Sequence, residues 1–394
     1  MTDPIALVDD LTGDPDYRGQ LVHLERVAAR PARLAPVPDD LPEVVRSRLA
    51  ARGVESLWSH QAAAIDLARA GRHVVVSTGT ASGKSLCYQL PVFDALLAEG
   101  HRSALYLSPT KALARDQLRA VRSFALAGVR ASAYDGDTPA ADRPMIRRSA
   151  NFVLTNPDML HRGILPGHER WSAFLGRLAF VVVDEAHTLR GVFGSHVAAI
   201  LRRLRRLAGR YGASPTFVLA SATLGNPAEL AGRLVGLPVE AVAEDGSPRG
   251  PVSFALWEPP LLDETTGLRR SANTESAAWL AAAVEAEVRT LCFTRSRKSA
   301  ELVAQFARGR WPRSTAAWPD GSGRTGPATW PRSDASSSRA WSRAGCSGWP
   351  PPTPWSWAWT SAGWTRSCST ATRARWPRCG SRPAGPAARA SRPR

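Results

Sequence analysis

Residues 76–85 read Val-Ser-Thr-Gly-Thr-Ala-Ser-Gly-Lys-Ser. The apolar run Val74 to Val76 leads into a Gly-containing loop that closes on Gly83-Lys84-Ser85 and passes into a helical pattern. Strand, loop and helix in that order are what a phosphate-binding loop needs. The backbone N–H groups of Thr78, Gly79, Thr80, Ala81, Ser82 and Gly83 can wrap an anionic oxygen cluster, and the following helix points its positive end at it. Lys84 is placed to reach the β- and γ-phosphates of a nucleotide, and Ser85 to offer a hydroxyl to Mg²⁺. The strict pattern asks for Gly five residues before Gly83, where Thr78 stands, so Gly79 supplies the turn.

The other half of such a site lies 100 residues on. Val181-Val182-Val183 reads as a buried parallel strand, followed at once by Asp184-Glu185-Ala186-His187. Adjacent carboxylates at a strand end suit two jobs: Asp184 holds the Mg²⁺ shell and Glu185 polarises the attacking water. Further signals follow a fixed order. His60-Gln61 precedes the loop. Pro109-Thr110-Lys111-Ala112-Leu113 follows the strand Ala104–Leu107, and Tyr134-Asp135-Gly136-Asp137 comes next. Thr155-Asn156-Pro157-Asp158 follows the strand Phe152–Leu154, and Ser221-Ala222-Thr223 ends the strand Thr216–Ala220.

This series resembles motor domain one of superfamily 2 helicases with a DEAH-type box. Thr-Gly-Thr-Ala-Ser-Gly-Lys-Ser-Leu-Cys-Tyr at 78–88, Pro-Thr-Lys-Ala-Leu-Ala-Arg-Asp-Gln at 109–117, Thr-Asn-Pro-Asp-Met-Leu-His at 155–161 and Arg190-Gly191-Val192-Phe193-Gly194-Ser195-His196 narrow it to the YprA/MrfA group of bacterial DNA helicases. The resemblance covers roughly residues 20–310. It implies an α/β, RecA-like doubly wound parallel sheet of the P-loop NTPase class, with ATP and Mg²⁺ as cofactors. Gln61 would read the adenine edge. His187, Ser221 and Thr223 would couple nucleotide state to the nucleic-acid face, and Thr110, Lys111, Thr155 and Asn156 would touch the sugar-phosphate backbone. Such contacts fix register without reading sequence. The implied partner is single-stranded or partly duplex DNA, with RNA still open, and the implied movement is 3′ to 5′ in DNA repair. A non-catalytic ATP- and nucleic-acid-binding fragment is the alternative.

Organisation is expected as a preamble over 1–50, the ATP-binding domain over 51–245, a linker over 246–272, and the start of a second, incomplete RecA-like domain over 273–310. Strand–helix alternation in the second segment argues for a parallel sheet. The preamble carries one helical pattern near Leu21–Ala29. A helix from about Thr274 to Val288, a strand Thr290–Thr294 and a helix around Ser299–Arg308 open the second domain. The cluster Arg202-Arg203-Leu204-Arg205-Arg206 reads as the solvated side of a helix over Val197–Leu207, with a DNA-facing patch as the alternative.

Residues 311–394 differ in kind. They contain no Leu, Ile, Val, Lys or Glu, yet hold ten of the fourteen Trp residues, thirteen Arg and only two acids, Asp320 and Asp334. Ordinary disorder favours Lys and Glu and is poor in aromatics. The segment is read as an out-of-frame, disordered translation of a GC-rich gene, which leaves activity impaired, the alternative being a natural basic, Pro-rich linker that binds nucleic acid non-specifically; a continuous reading frame through codon 310 would refute the first. Of the formal charge of +17, this tail supplies +13 − 2 = +11, leaving +6 for residues 1–310. That mild excess suits a nucleic-acid partner. Outside the tail only Cys87 and Cys292 remain, so no zinc or disulfide framework is expected. The start, Met-Thr-Asp-Pro, has no signal-peptide character and no stretch is apolar enough to span a bilayer, so a cytoplasmic location without a membrane partner is expected.

Overall fold

In the computed structural model, residues 6–15, 17–98, 101–310 and 366–369 are described. They fall into two compact units, one formed by 26–253 and the other by 6–25, 254–310 and 366–369.

The larger unit is built on seven strands: β1 (Val74–Ser77), β2 (Ser103–Leu107), β3 (Ala131–Ala133), β4 (Phe152–Thr155), β5 (Leu178–Val183), β6 (Thr216–Ser221) and β7 (Glu240–Val242). Their order across the sheet is β7-β1-β6-β5-β2-β4-β3, and every pairing is parallel. Parallel strands need crossovers, and helices α1 (Ser59–Arg69), α2 (Lys84–Leu97), α3 (Lys111–Ser123), α4 (Arg143–Ser149), α5 (Gly191–Arg210) and α6 (Pro227–Val235) are distributed among them. Both faces are covered. Val75, Leu105, Val153, Val181 and Leu219 pack with Leu201 and Leu204 of α5 and Val235 of α6. Their strand neighbours Val74, Val76, Ala104, Tyr106, Val182 and Val218 pack with Ile65 of α1 and Leu90 and Phe93 of α2. Each such side chain contributes about 1.5–3 kcal/mol on burial, which is why the strands read as unbroken apolar runs. This is the expected RecA-like doubly wound architecture.

Other expectations change. The segment Leu21–Val27 is a strand, not a helix, and pairs with the strand Val252–Trp257. Leu21, Leu24 and Val27 recur at a spacing of three, a helical signal; the partner that makes them a strand lies more than 220 residues away and leaves no local trace. The preamble does not stand apart. Leu34–Pro36 pairs antiparallel with Ser56–Trp58, and the helix Glu43–Ala50 sends Val45 and Leu49 into the core. The expected linker is partly ordered too, since Leu261–Asp263 pairs with Leu268–Arg269 beyond the Val252–Trp257 strand. Helix α5 is longer than Val197–Leu207. Its arginines lie at the surface except that Arg205 Nη1 donates to Val235 O (2.8 Å) and Gly236 O (3.0 Å), closing the end of α6.

In the smaller unit the helices Ala272–Glu285 and Arg297–Arg310 flank the strand Thr290–Phe293, close to the expected bounds. Ala277, Val303 and Ala307 join the two helices. The helix Ala6–Thr12, which local periodicity did not suggest, places Leu7 against Ala283 and Val288. The Trp257 and Trp279 rings meet edge to face at 4.9 Å, and Trp257 Nε1–H donates to Glu275 Oε2 (3.0 Å). The strand Arg366–Ser369 runs parallel to Thr290–Phe293. The out-of-frame reading otherwise concerns positions outside the described residues. No helix among the described residues is long and apolar enough to cross a membrane.

Candidate nucleotide site and nucleic-acid face

Strand β1 ends at Ser77 and α2 begins at Lys84, so the loop between them opens at the carboxyl edge of the sheet. Ala81 (φ +60°) and Gly83 (φ +63°) are left-handed. For Ala81 that conformation costs about 1–2 kcal/mol, the kind of strain that gathers at functional sites. Gly83 has a second constraint, because a Cβ there would lie 2.5 Å from Gln61 Nε2 and 2.8 Å from Trp58 Cζ3. Inside the loop the Thr78 and Ser82 hydroxyls meet at 2.6 Å and Ser82 Oγ donates to Gly79 O (2.7 Å). Lys84 Nζ donates to Gly79 O (2.6 Å) and Thr78 O (3.1 Å). Burial lowers its pKa, and Glu185 and Asp184 oppose that shift.

The loop is clasped from outside by α1. His60 Nε2 bonds Ser82 O (2.8 Å), and His60 Nδ1 accepts from Gly246 N–H (3.1 Å), which fixes a neutral ring with its proton on Nε2. Burial also lowers the pKa of His60. Both ends of the Gln61 amide are engaged. Its Oε1 accepts from Trp58 N–H (2.9 Å) and its Nε2 donates to Gly83 O (3.0 Å). A base edge can therefore use only the second Nε2 hydrogen and the second Oε1 lone pair. Asp245, ion-paired to Arg30 (3.0 Å), stands on the same side, with Oδ2 3.1 Å from where a Gly79 Cβ would be.

The acid pair arrives at the end of β5. Asp184 Oδ2 accepts from Tyr106 OH (2.6 Å) and lies 3.2 Å from Tyr88 OH; Asp184 Oδ1 accepts from Glu185 N–H (2.9 Å). Tyr88 OH is also 3.4 Å from Ser85 Oγ, so one hydroxyl joins the two residues expected to serve Mg²⁺. Burial raises the pKa of Asp184, against the Tyr106 hydrogen bond. These donors fit a hard cation: a hydroxyl and a carboxylate oxygen in a part-buried site, the carboxylate making no salt bridge among the described residues. Among the described residues no group of three or more His, Cys, Asp or Glu could hold a metal by itself. Glu185 is left-handed (φ +52°), and burial followed by the Asp184 charge pushes its carboxyl up to about 7. Its Oε2 lies 3.3 Å from His187 Nδ1, the atom that also accepts from Ala222 N–H (3.3 Å). His187 thus stands between Glu185 and the Ser221-Ala222-Thr223 turn, bonded to the turn through Ala222 N–H. Thr223 is exposed, whereas the Ser221 hydroxyl is buried without a hydrogen bond. Ser77, Tyr88, Tyr106 and His60 hold this site together. Sequence reading missed Ser77, whose Oγ donates to Ala222 O (3.1 Å) and accepts from Leu224 N–H (3.0 Å).

The expected nucleic-acid contacts divide. Thr110 and Asn156 cap helices: Thr110 Oγ1 accepts from Leu113 N–H (3.3 Å) and Asn156 Oδ1 from Met159 N–H (2.8 Å). Lys111 pairs with Asp137 (2.7 Å), which also takes Arg115 (2.8 Å). Thr155 departs from expectation. It is buried and its hydroxyl donates to Tyr134 O (2.6 Å), so it anchors that tyrosine instead of meeting a strand.

Residues 58–230 match the family model for DEAD/DEAH box helicase. The chain is 39% identical over 300 residues to the uncharacterized ATP-dependent helicase YprA of Bacillus subtilis, covering 75% of this chain and 40% of that protein. It is 37% identical over 314 residues to the ATP-dependent helicase hrq1 of Schizosaccharomyces pombe, covering 77% of this chain and 30% of that protein. The chain thus spans less than half the length of these curated relatives. A crystal structure of the DUF1998 helicase MrfA bound to DNA and AMPPNP superposes with a TM-score of 0.73 at 38% identity, over 78% of this chain and 43% of that one. With the phosphate loop, the acid pair and the sheet order all in place, residues 58–230 read as a DEAD/DEAH box helicase domain, and the chain is similar to the YprA/MrfA group of helicases.

Proposed function

We propose that this chain carries the nucleotide-binding motor half of an ATP-dependent DNA helicase, moving 3′ to 5′ and serving DNA repair. The observation that supports it best is the gathering of Lys84, Ser85, Asp184 and Glu185 at one sheet edge, with Tyr88 joining Ser85 to Asp184. Mg·ATP would supply the phosphoanhydride and the cation that neutralises it. The amides of residues 78–83 cradle the phosphates. Lys84, with one of its three N–H bonds left over from the loop carbonyls, reaches the terminal ones. Ser85 and Asp184 would hold the cation. Glu185, beside Asp184 at the end of β5, would accept the proton of the attacking water. His187 and Ser77 carry the state of the pocket to the Ser221–Thr223 turn.

Turnover in this class also needs arginines from a second RecA-like domain, worth about 10³–10⁵ in rate. The described residues of the second unit match the opening helices and strand expected of such a domain, and the reading proposed for the larger unit is binding of Mg·ATP and DNA. The test is ATP affinity and single-strand-stimulated ATPase of the full chain beside Lys84→Ala, with DNA and RNA oligonucleotides compared. ATP affinity indifferent to Lys84→Ala would refute the motor reading; equal stimulation by RNA would refute the DNA assignment.

A further inference from the structure

Away from the nucleotide pocket, the larger unit contains a half-open cleft of about 310 Å³ beyond the carboxyl end of β3. It is lined by Tyr134, Arg143, Arg147, Gly163, Arg170 and Trp171 among others, with no acidic side chain in its wall. Its aromatic floor is fixed, because Tyr134 and Trp171 meet edge to face at 4.9 Å and Thr155 Oγ1 donates to Tyr134 O. Its rim passes through a π-helical turn, Leu160–Ile164, a feature that concentrates at functional sites.

The three arginines are mostly unspent. Arg143 Nε donates to Thr138 O (3.2 Å), and its guanidinium stands 5.6 Å from the Tyr134 ring centroid. Arg147 Nη1 makes one long bond to Tyr134 OH (3.4 Å). Arg170 is exposed. Each guanidinium has five N–H donors, and among the described residues none of the three pairs with a carboxylate. Three positive side chains line one cleft, and an anion is the ligand that complements them. The planar fork matches two oxygens of a phosphate. We propose that this cleft is a phosphodiester subsite, holding one backbone phosphate of a nucleic-acid strand without reading its bases. The proposal rests on the nucleic-acid reading above and adds a contact that the helicase motifs do not include.

The experiment is fluorescence anisotropy of fluorescein-labelled (dT)₂₀ on the full chain over a NaCl series, with mant-ATP affinity measured in parallel. Arg170→Gln, which removes no protein hydrogen bond, is the primary variant, and Arg143→Gln/Arg170→Gln the second. Each lost guanidinium should weaken strand binding about tenfold at low salt, alike for dT and dA strands, and reduce the log–log salt slope by about 0.7. Mant-ATP affinity and the melting temperature of Arg170→Gln should not change. Unchanged strand affinity and slope in both variants would overturn the subsite. So would loss of inorganic phosphate binding by calorimetry with strand binding intact, which would assign the cleft to free phosphate. A wild-type chain that binds no strand at all would sink the nucleic-acid reading itself.

Discussion

Replacing His60 with Ala tests whether the phosphate loop is held from outside. The imidazole bridges two buried backbone groups, Ser82 O at 2.8 Å and Gly246 N–H at 3.1 Å. Leaving a buried polar group unpaired costs about 1–3 kcal/mol, so His60→Ala should destabilise the larger unit by about 2–6 kcal/mol at pH 7.5. Acid gives the effect a sign. Burial lowers the pKa of His60 below its ordinary 6.5, so below pH 6.5 the unfolded chain takes up a proton that the folded ring refuses. Stability therefore falls as pH falls, by at most about 1.4 kcal/mol per pH unit from this one group. Asp245 Oδ1, 3.8 Å from Nδ1, would favour the charged ring, but Gly246 N–H already faces that nitrogen and Arg30 already pairs with the carboxylate. The alanine chain lacks this titration, so the stability gap should narrow by up to about 1.4 kcal/mol between pH 7.5 and 5.5. Urea unfolding followed by far-UV circular dichroism at both pH values measures it. A gap under 1 kcal/mol at pH 7.5, or one that widens in acid, would show that His60 does not brace the loop in its neutral form.

Three further changes probe neighbouring parts. Tyr106→Phe deletes the 2.6 Å hydrogen bond on Asp184 and should raise the Mg²⁺ concentration for half-maximal ATP turnover about 10–100-fold, read by magnesium titration; an unmoved midpoint refutes its role in positioning the carboxylate. Asp137→Asn releases Lys111 and Arg115 from one exposed carboxylate, so single-strand affinity and its salt dependence should both rise, as anisotropy at several NaCl concentrations would show; weaker binding would mean the ion pairs preorganise this face. Arg205→Ala removes two hydrogen bonds closing α6 and should cost about 1–3 kcal/mol, lowering the thermal midpoint by several degrees with no change in ATP affinity.

What sequence made legible and what it hid divide along a physical line. The phosphate loop and the Asp184-Glu185 turn were readable because their chemistry sits in contiguous strand–turn segments, and their strands were readable because a sheet covered on both faces needs uninterrupted apolar residues. Tyr106 lay in such a run and looked like core. Its ring does pack there, but its hydroxyl emerges beside an acid 78 positions later. Thr155 shows the converse: its hydroxyl belongs to a motif, yet it is buried and donates to Tyr134 O. The Leu21–Val27 strand followed the same rule, since its partner is distant and its local spacing imitates a helix.

Asp245 carries the point furthest. At the nominal end of the domain it was a boundary residue, yet its carboxylate stands against Gly79 while Gly246 beside it fills a space in which a Cβ would strike Ser59. The chain after β7 therefore returns to the outer wall of the phosphate loop, where Gly246 N–H bonds the His60 ring that in turn bonds Ser82 O. A domain cut at residue 245 would leave His60 without its Gly246 partner, so a fragment ending there should bind ATP more weakly than one ending at 253. Equal affinity of the two fragments by mant-ATP titration would confine the site to the motif and remove Gly246 from it.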